Sequence, residues 1–534
     1  MAKKNISKVD LLLLLSCLLV LLYAVVVNTF FIPRWETNDD VFMSMFAHGY
    51  GAAAESTPKI VFSNVLWGHF VRVIPEIHGI PGYSTASMLV VYLVGVSILW
   101  GLSRVGVNFI ASMFIVLMVL IRPLLFPQFT VNSGILSVAS LVFMFLYIKE
   151  RKKIFLIFCF LLAYTSFLIR EDMFLLILSI SLPMVLRKDI FNNKFAYLAF
   201  IFFLCAISIS KIIDNVSYKD EKFQFFNQFN EVRIPFTDYG ASFYLNKEQN
   251  ILKKYNYSVN DIELIAEWFF EDKNIADPVK LGKMMSEFGS LPLRKGGLSM
   301  GMQALKSLRH SEIFILVITA FFVLLMRPGL RVSISWIIAL GAIFAMGVLG
   351  RPGIMRVYIP VLILLLILPF FEKKDESSWK NWVILGACLI GSILYTSYYG
   401  IVSKKNENFT LNVRNQYIQI VDKSLPIVTW GQHPRFEMIY PVFLLPEYLR
   451  KFHFYSLSSF THFPFAVSYT ENEEKNGFID RFISHEGLFL IANEKRIKLL
   501  RQYCVERMNG EVRACSNDYE YLGVYNLRCL IKKK

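Results

Sequence analysis

The sequence predicts an α-helical polytopic membrane protein with about eleven membrane-spanning helices, extracytoplasmic loops and a small C-terminal α/β domain. Three observations predict this class. Hydrophobic residues make up 55% of the 534 residues, and 48 residues are phenylalanine. The mean hydropathy is +0.47. Apolar runs of about 18 or more residues recur along the chain, as membrane helices require. An ordinary soluble globular protein is therefore excluded.

The first apolar run extends from about residue 9 to residue 32. It is too long for the core of a signal peptide and lacks a small-residue cleavage site, so we expect a retained membrane helix. Further spans are predicted near residues 86–102, 106–121, 131–148, 154–169, 174–187, 196–213, 312–326, 332–349, 354–371 and 381–400. Polar residues around position 170 lie between the predicted spans 154–169 and 174–187. A re-entrant hairpin is the alternative to two full crossings for this pair.

The net charge of +15 reports membrane topology and not nucleic-acid binding, because the basic residues lie in short clusters between apolar segments. Every second turn carries such a cluster: Arg104; Lys149, Arg151, Lys152 and Lys153; Arg187, Lys188 and Lys194; Arg327 and Arg331; Lys373, Lys374 and Lys380. Since positive residues accumulate on the cytoplasmic side, the N-terminus is predicted to be cytoplasmic.

This topology places three segments outside the cytoplasm. Two of them, about 33–85 and 214–311, belong to a predicted transmembrane domain of residues 1–400, and the third is an extracytoplasmic domain of residues 401–534. The first segment reads as two amphipathic helices lying in the membrane interface, and the second as a helical lid or platform. The tail alternates β-rich runs with helical ones, and about 130 residues suffice for a core of its own.

Two short runs illustrate the mixed character of the tail. Residues 425–430 are β-rich, and residues 494–505 have helical character. The tail also contains three of the seven cysteines, Cys504, Cys515 and Cys529. In an oxidising compartment one disulfide is expected among them. Cys504 with Cys515 would close the shortest loop, but the sequence leaves the pairing open.

Two adjacent carboxylates, Asp39 and Asp40, follow the first predicted span. The preceding residues fit the start of a helix, with Thr37, Asn38 or Asp39 as the N-cap, so helix capping is one interpretation. A functional site is the other, because the carboxylates lie at a membrane surface otherwise built from apolar helices.

Several arginines are predicted at the same membrane face. Arg122, Arg170, Arg351 and Arg356 lie at or near the ends of predicted spans. Such side chains commonly extend to lipid headgroups, and for Arg122 this interpretation stays open. Arg356 lies several residues inside its span, where an unpaired guanidinium costs a few kcal/mol. A guanidinium is suited to bidentate phosphate binding, so a charged, lipid-linked substrate is predicted.

These features resemble the GT-C class of membrane glycosyltransferases, whose hallmark is an acidic motif in the first extracytoplasmic loop. Asn38-Asp-Asp40 takes that place here. The stretch Arg356-Val-Tyr-Ile-Pro360 is similar to an Arg-Tyr-x-x-Pro-like sequence on a late helix of such enzymes. Residues 62–68 and 258–272 look like segments of bacterial members associated with surface polysaccharide synthesis.

The resemblance implies a bacterial plasma-membrane enzyme with an inverting mechanism. The donor would be a sugar on a polyprenyl phosphate, and the acceptor a hydroxyl of a glycan or lipid at the extracytoplasmic face. An acceptor hydroxyl is a poor nucleophile, so Asp39 or Asp40 would take its proton as general base.

The departing lipid phosphate accumulates negative charge, which arginines stabilise in a partly dehydrated cavity. Arg351 and Arg356 would bind this phosphate, with Tyr358 among the substrate-binding residues and Arg170 as a weaker third cation. The resemblance is compatible with a divalent metal. However, His48, His69 and His78 do not have the spacing of metal ligands.

Two other functions remain alternatives, a glycolipid transporter or flippase and a noncatalytic membrane scaffold. Transporters commonly have internal repeats and ionisable residues near mid-membrane. This chain has no convincing repeat, and its charges are concentrated at one predicted face. The sequence therefore favours a glycosyltransferase, without naming the sugar or the acceptor.

Overall fold

A computed structural model describes residues 8–186, 193–289, 297–372, 378–422, 426–431, 434–516, 520 and 523–532. Some predictions fall outside these residues. They concern four basic residues of the predicted cytoplasmic turns, Arg187, Lys188, Lys373 and Lys374, and the first residue of the predicted β-rich run, Leu425.

The described chain is mostly helical. Its first part forms α1 Lys8–Phe30, α2 Asn38–His48, α3 Val65–Val73, α4 Gly82–Val105, α5 Phe109–Leu125, α6 Phe129–Glu150, α7 Lys153–Ile169, α8 Glu171–Val185 and α9 Lys194–Ser217. The middle segment forms α10 Gln224–Thr237, α11 Ala241–Leu245, α12 Gln249–Lys254, α13 Val259–Ala266 and α14 Pro278–Phe288. Then follow α15 Gly297–Lys306, α16 Ser311–Met326, α17 Leu330–Val348, α18 Met355–Ile367 and α19 Ser378–Asp422.

Each predicted apolar segment forms a helix, but the number of eleven spans is not confirmed. Among the described residues, six helices are long and apolar enough to cross a membrane: α1, α4, α6, α9, α17 and α19. A seventh is counted if α15 and α16, which meet at a bend of 82°, form one broken span. The other predicted spans form helices of 13 to 17 residues. Their helical rise of about 20–26 Å falls short of a hydrocarbon core of about 30 Å.

The chain divides into two compact units. The first contains residues Met1–Asp40, Val61–Ile213 and Lys295–Phe409, and the second contains Val41–Ile60, Asp214–Arg294 and Thr410–Lys534. The second unit therefore combines the tail with the middle segment and a short part of the first loop. This division differs from the predicted boundary at residue 400, which lies inside the continuous helix α19.

Helix α6 is the central helix of the first unit. It is buried from Phe129 to Tyr147 and packs against α4, α7, α8 and α18. Its contact with α18 depends on a glycine, because a Cβ atom at Gly134 would overlap with Cβ of Pro360. Small residues allow membrane helices to approach this closely. The crossing brings the first turns of α18 next to the first turns of α6.

The second unit contains a five-stranded sheet with the order β2-β1-β3-β5-β4. Its strands are β1 Val428–Trp430, β2 Tyr455–Leu457, β3 Leu488–Ile491, β4 Gly510–Ser516 and β5 Tyr525–Ile531. Strands β1, β2 and β3 are parallel, whereas β5 is antiparallel to both β3 and β4. The short helices of the tail are α20 Phe436–Ile439, α21 Glu447–Lys451, α22 Val467–Glu473, α23 Phe478–Ile483 and α24 Glu494–Met508. The predicted α/β character of the tail is confirmed.

The tail shares its core with the middle segment. Strands β1 and β2 are buried along their whole length, and parallel strands need cover on both faces. Phe269 of the middle segment packs against Trp430, with ring centroids 5.6 Å apart, and Trp430 Nε1 donates to the carbonyl of Glu267. The middle segment is thus part of the hydrophobic core of the second unit.

Helix α2 does not have the exposed apolar face that was predicted to lie in the membrane interface. Phe42, Met45 and Phe46 are almost completely buried. Phe42 and Phe46 pack against Phe460 of the tail, at ring distances of 5.3 and 4.7 Å. The interfacial prediction is wrong for α2, because this apolar face fills a protein core.

A disulfide joins Cys504 to Cys529, with Cα atoms 5.9 Å apart, and Cys515 is free and exposed. The pairing that closes the shortest loop is therefore not formed. The β4–β5 register explains this, because Cys529 pairs with Val512 near the end of α24. Cys515 lies near the opposite end of β4.

Candidate functional site

The acidic segment after α1 is attached to the junction between α5 and α6. The backbone N–H of Arg34 donates to the carbonyl of Leu125 at 3.1 Å, and that of Glu36 donates to Pro127 at 3.3 Å. Trp35 is buried. These contacts give the segment a defined position before α2 begins at Asn38.

Asp40 is a buried residue, only 1% exposed. Its carboxylate oxygen Oδ1 accepts hydrogen bonds from the Tyr83 hydroxyl and from the backbone N–H of Phe129, both at 2.9 Å. The Thr37 hydroxyl donates to Oδ2 at 3.2 Å. Phe129 is the first residue of α6, so Asp40 satisfies one of the N–H groups that a helix N-terminus leaves without an intrahelical partner.

The environment of Asp40 favours its neutral form. Burial raises its pKa well above the usual value of 3.8, and the negative charges of Asp39 and Glu36 act in the same direction. The hydrogen bonds from Tyr83 and Phe129 oppose this shift of the pKa without cancelling it. Asp40 therefore has the properties of a structural anchor.

Asp39 has a different environment. Its side chain is 37% exposed, and its Oδ2 atom lies 3.2 Å from a guanidinium nitrogen of Arg356, whose side chain is 38% exposed. Arg356 is the second residue of α18. The structure thus brings together two predicted site residues that are separated by 317 positions in the sequence.

Tyr358 and Arg351 are linked through the turn that precedes α18. Tyr358 is fully buried, and its hydroxyl accepts a hydrogen bond from the N–H of Gly353 at 3.0 Å. Gly350 and Gly353 have φ angles of +86° and +76°, which glycine adopts without strain. Arg351 is exposed in this turn. Tyr358 therefore supports the turn that carries Arg351, and its contact with a substrate stays a prediction.

Arg170 lies in an extended conformation between α7 and α8. Its guanidinium pairs with Asp172 at 2.9 Å, donates to the carbonyl of Phe62 at 3.3 Å and lies 5.8 Å from the ring centroid of Phe129. Because the N–H of Phe129 also donates to Asp40, Arg170 is a neighbour of the residue that anchors the acidic motif.

Arg122 is not a residue that extends to lipid headgroups. It is 4% exposed, and its Nη2 atom donates to Oε1 of Glu36 at 2.7 Å. A second carboxylate, that of Glu312, lies 3.9 Å away. Within the described part of the chain, Nε and Nη1 of Arg122 have no hydrogen-bond partner. The snorkelling interpretation is therefore wrong for Arg122.

Sequence reasoning missed three contributors to this site, Glu36, Tyr83 and the N-terminus of α6. Glu36 could have been found, because it lies in the acidic segment itself and a buried arginine needs a carboxylate partner. The contacts of Tyr83 and Phe129 depend on how distant helices pack, and no local pattern indicates them.

The comparisons with known proteins add no identification. No protein-family model, curated protein or solved structure matches this chain. The resemblance to GT-C enzymes therefore stays a prediction, and the function is argued from the site alone. Within the ranges that the structure describes, no group of three or more His, Cys, Asp or Glu side chains is arranged to hold a metal ion.

The pair of Asp39 and Arg356 offers two chemical functions, proton acceptance and phosphate binding. A partly exposed carboxylate such as Asp39 can accept a proton from a bound hydroxyl. A partly exposed guanidinium such as Arg356 can bind a phosphate through charge-assisted hydrogen bonds. In the structure, Asp39 and Arg356 neutralise each other's charge.

Proposed function

We propose that the protein is a GT-C-type membrane glycosyltransferase that transfers a sugar from a polyprenyl-phosphate donor to a hydroxyl of a glycan or lipid. The reaction takes place at the extracytoplasmic face of a bacterial plasma membrane, in the synthesis or modification of a cell-surface polysaccharide. The observation that carries this proposal is the partly exposed ion pair of Asp39 and Arg356. Proton removal and stabilisation of a departing phosphate require these two kinds of group.

In this proposal Asp39 is the general base. It takes the proton of the acceptor hydroxyl while the acceptor oxygen forms a bond to C1 of the sugar. The bond between C1 and the phosphate oxygen breaks, and its electron pair goes to the lipid phosphate. Attack opposite the leaving phosphate inverts the configuration at C1. Asp40 holds the motif in place, since its buried carboxyl group favours the neutral form, which already carries a proton and cannot accept another.

Arg356 stabilises the departing phosphate. A phosphate can replace the Asp39 carboxylate as the partner of Arg356, because both are oxyanions that bind a guanidinium in similar geometry. Donor binding then releases Asp39 for proton transfer. Arg351, in the turn before α18, and Arg170, near Phe129, contribute further positive charge.

We extend the membrane domain to eleven crossings with a cytoplasmic N-terminus. The shorter apolar helices α5, α7, α8, α16 and α18 are counted as spans, since local thinning of the bilayer accommodates short helices at modest cost. The basic residues in every second turn support this orientation.

Two substitutions test the assignment of the base. The glycan composition of cells with and without the protein first identifies the transferred sugar, and purified variants are then assayed for transfer. Asp39→Asn should fold normally and lose about 100-fold to 10,000-fold in rate, as expected for a missing general base. Asp40→Asn should keep most of the activity, because the amide oxygen can accept the hydrogen bonds from Tyr83 and Phe129 and the amide nitrogen can donate to the Thr37 hydroxyl.

Near-normal transfer by Asp39→Asn would overturn the catalytic role of this carboxylate. An unchanged glycan composition in cells without the protein would argue for a scaffold. The amount of folded protein in the membrane, measured for each variant, separates loss of chemistry from loss of structure.

A further inference from the structure

Strand β4 is one of the two edges of the five-stranded sheet in the second unit. The other edge, β2, is buried along its whole length, whereas Glu511, Arg513 and Ala514 of β4 are exposed. A strand at a sheet edge has one row of backbone N–H and C=O groups without a partner in the sheet. Among the described residues, β4 is therefore the open edge of this sheet.

The hydrogen bonds between β4 and β5 indicate which backbone groups of β4 point outward. The N–H of Lys532 donates to the carbonyl of Asn509 at 3.1 Å, and these two residues lie directly opposite each other, one position beyond the register that starts at Gly510. In an antiparallel ladder, pairs that exchange hydrogen bonds alternate with pairs that do not. The N–H and C=O groups of Gly510, Val512 and Ala514 therefore face away from β5.

The side chains of β4 have a self-complementary pattern of charge. Glu511 and Arg513 lie on the same face of the strand, two residues apart, and are 63% and 65% exposed. When a second copy of β4 runs antiparallel to the first with Val512 opposite Val512, each Glu511 lies opposite Arg513 of the other copy. Opposite charges at directly opposing positions stabilise a strand pair, whereas like charges destabilise it.

Within one copy, the neighbour of Arg513 across the sheet has the wrong charge. Arg513 is paired with Arg528 in the β4–β5 register, and like charges at such positions are unfavourable. The ion pair of Arg513 with Glu511 on the same strand, at 3.6 Å, joins two exposed side chains, and such pairs contribute little. A carboxylate on the open side of β4 would therefore stabilise Arg513.

We propose that two copies of the chain form a twofold-symmetric dimer by antiparallel pairing of their β4 edges, centred on Val512. The paired segment is residues 510–514, because the register of β4 shifts between Ala514 and Ser516 and such a bulge disrupts regular pairing. Gly510, Val512 and Ala514 of each copy then donate and accept hydrogen bonds across the interface. Since both open edges are used, association ends at a closed dimer. The inference is independent of the proposed function, because β4 contains no residue of the candidate site.

Exchanging the charges on β4 tests the pairing. The dissociation constant of the dimer is measured by analytical ultracentrifugation of the purified full-length protein in detergent, over a series of dilutions. Arg513→Glu should weaken the dimer at least about tenfold, because glutamates then lie opposite each other at two positions. The double exchange Glu511→Arg/Arg513→Glu should restore the affinity of the wild type, since opposite charges again face each other.

Arg501→Glu is the matched control, because it makes the same change of charge at an exposed position on α24. It should dimerise as the wild type does. A monomeric wild type, or a dimer that Arg513→Glu does not weaken, overturns the proposal. Equal weakening by Arg513→Glu and Arg501→Glu would report net charge instead of edge pairing and also overturns it. A double exchange that stays as weak as Arg513→Glu contradicts the antiparallel register.

A disulfide across the interface tests the register in the membrane. Glu511→Cys and Arg513→Cys are expressed together on chains with different tags, with the exposed free residues Cys205 and Cys515 replaced by serine in each. In the proposed dimer these two positions form a pair without hydrogen bonds, whose Cα atoms lie about 4.5 Å apart, a distance that a disulfide can bridge. The two chains should therefore become linked on oxidation.

Glu511→Cys expressed alone is the control for this linkage. The two copies of position 511 are two residues, about 7 Å, out of register along the strands, so their Cα atoms are too far apart for a disulfide. No linked dimer should form from Glu511→Cys alone. Absence of the linked mixed dimer, or equal linkage in the control, overturns the proposed pairing.

Discussion

Asp39 and Asp40 are consecutive in the sequence but have opposite environments. Tyr83 and Phe129 enclose Asp40 and donate hydrogen bonds to it, and burial raises its pKa. Asp39 keeps contact with solvent and pairs with a cation. Two carboxyl groups whose environments differ in this way commonly have different roles in one site. Under the proposed function, Asp39 is therefore assigned as the reactive carboxylate.

Replacing Arg356 by lysine tests phosphate recognition. Lysine keeps the charge but offers a point charge in place of a planar guanidinium. We expect Arg356→Lys to weaken binding of a polyprenyl-phosphate donor by about 1–3 kcal/mol, the range for hydrogen bonds to charged groups. Donor binding to purified protein in lipid measures this, together with the amount of folded protein.

Arg331→Lys is the control for Arg356→Lys, because Arg331 is an exposed arginine in the first turn of α17. Equal donor affinity of the wild type and both variants would remove Arg356 from the site. Arg122→Lys is less suitable as a control. Arg122 is buried and pairs with the half-buried Glu36, and disturbing the ion pair of a buried charge lowers stability.

The sequence predicted the carboxylates and Arg356 because charged residues are conspicuous among apolar helices. It did not predict which atoms they contact. The burial of Arg122 depends on the attachment of residues 34–36 to the α5–α6 junction, which no local pattern encodes. Side chains at a helix end are therefore identified more easily than their partners.

At the scale of elements, the N-terminus of α6 organises the site. The backbone N–H of Phe129 in this N-terminus donates a hydrogen bond to Asp40. The ring of Phe129 also lies next to the guanidinium of Arg170. Five residues further along α6, Gly134 allows α18 to approach closely at Pro360. Arg356 lies one turn before Pro360 on α18. The position of the ion pair thus follows from one helix end and one close helix crossing.

In the second unit, Glu271 connects the middle segment to the tail. Its Oε2 atom accepts hydrogen bonds from the Tyr455 hydroxyl at 2.7 Å and from Asn472 at 3.1 Å. Burial raises the pKa of Glu271 from 4.5 to about 7, against the effect of these two hydrogen bonds. The negative charge of Glu471 acts in the same direction as burial.

The raised pKa of Glu271 makes the stability of this unit dependent on pH. Between pH 4.5 and 7 the folded protein holds a proton that the unfolded chain releases, so the free energy of unfolding falls as pH rises through this window. Glu271→Gln removes the effect. The variant should match the wild type near pH 5 and exceed it near pH 8, by an amount on the order of 3 kcal/mol. Thermal unfolding followed by tryptophan fluorescence measures both proteins.

His462 has the opposite effect on the pH dependence of stability. Burial lowers its pKa to about 4, so its contribution to the free energy of unfolding is lost as pH falls below 6.5. Both proteins contain His462, so its effect cancels in the comparison. Glu474→Gln, a change at an exposed residue, should behave as the wild type at both pH values. A stability difference between Glu271→Gln and the wild type that does not change with pH would contradict the assignment.

The type of secondary structure was predictable where one sequence pattern dominated a segment. Long apolar runs predicted the helices of the first unit, and residues 494–505 predicted α24. The extent of α19 was not predicted, because its polar second half lies beyond the apolar run, although Phe409, Val413, Tyr417 and Ile420 recur there at helical spacing. The shared core of the second unit was also missed, since residues 214–294 and 410–534 are far apart in the sequence and meet only in the fold.

At the scale of the whole molecule, the basic clusters and the disulfide both indicate the same orientation of the chain in the membrane. Positive residues in alternate turns predict a cytoplasmic N-terminus, and with the eleven crossings proposed above the tail would lie outside the cytoplasm. The disulfide of Cys504 and Cys529 is typical of a domain in an oxidising compartment. The proposed reaction at the extracytoplasmic face requires this orientation.

Cysteine labelling in intact cells tests the orientation, and the chain supplies its own reporter. Cys515 is free and exposed, so a membrane-impermeant thiol reagent should label it in the native protein. In a variant with Cys515 and Cys205 replaced by serine, new single cysteines at Asn250 and Asn476 should also be labelled. A cysteine at Lys152, an exposed residue between α6 and α7, should be labelled only after the cells are permeabilised. Labelling of Lys152→Cys but not of Asn250→Cys or Asn476→Cys in intact cells would invert the topology and remove the site from the extracytoplasmic face.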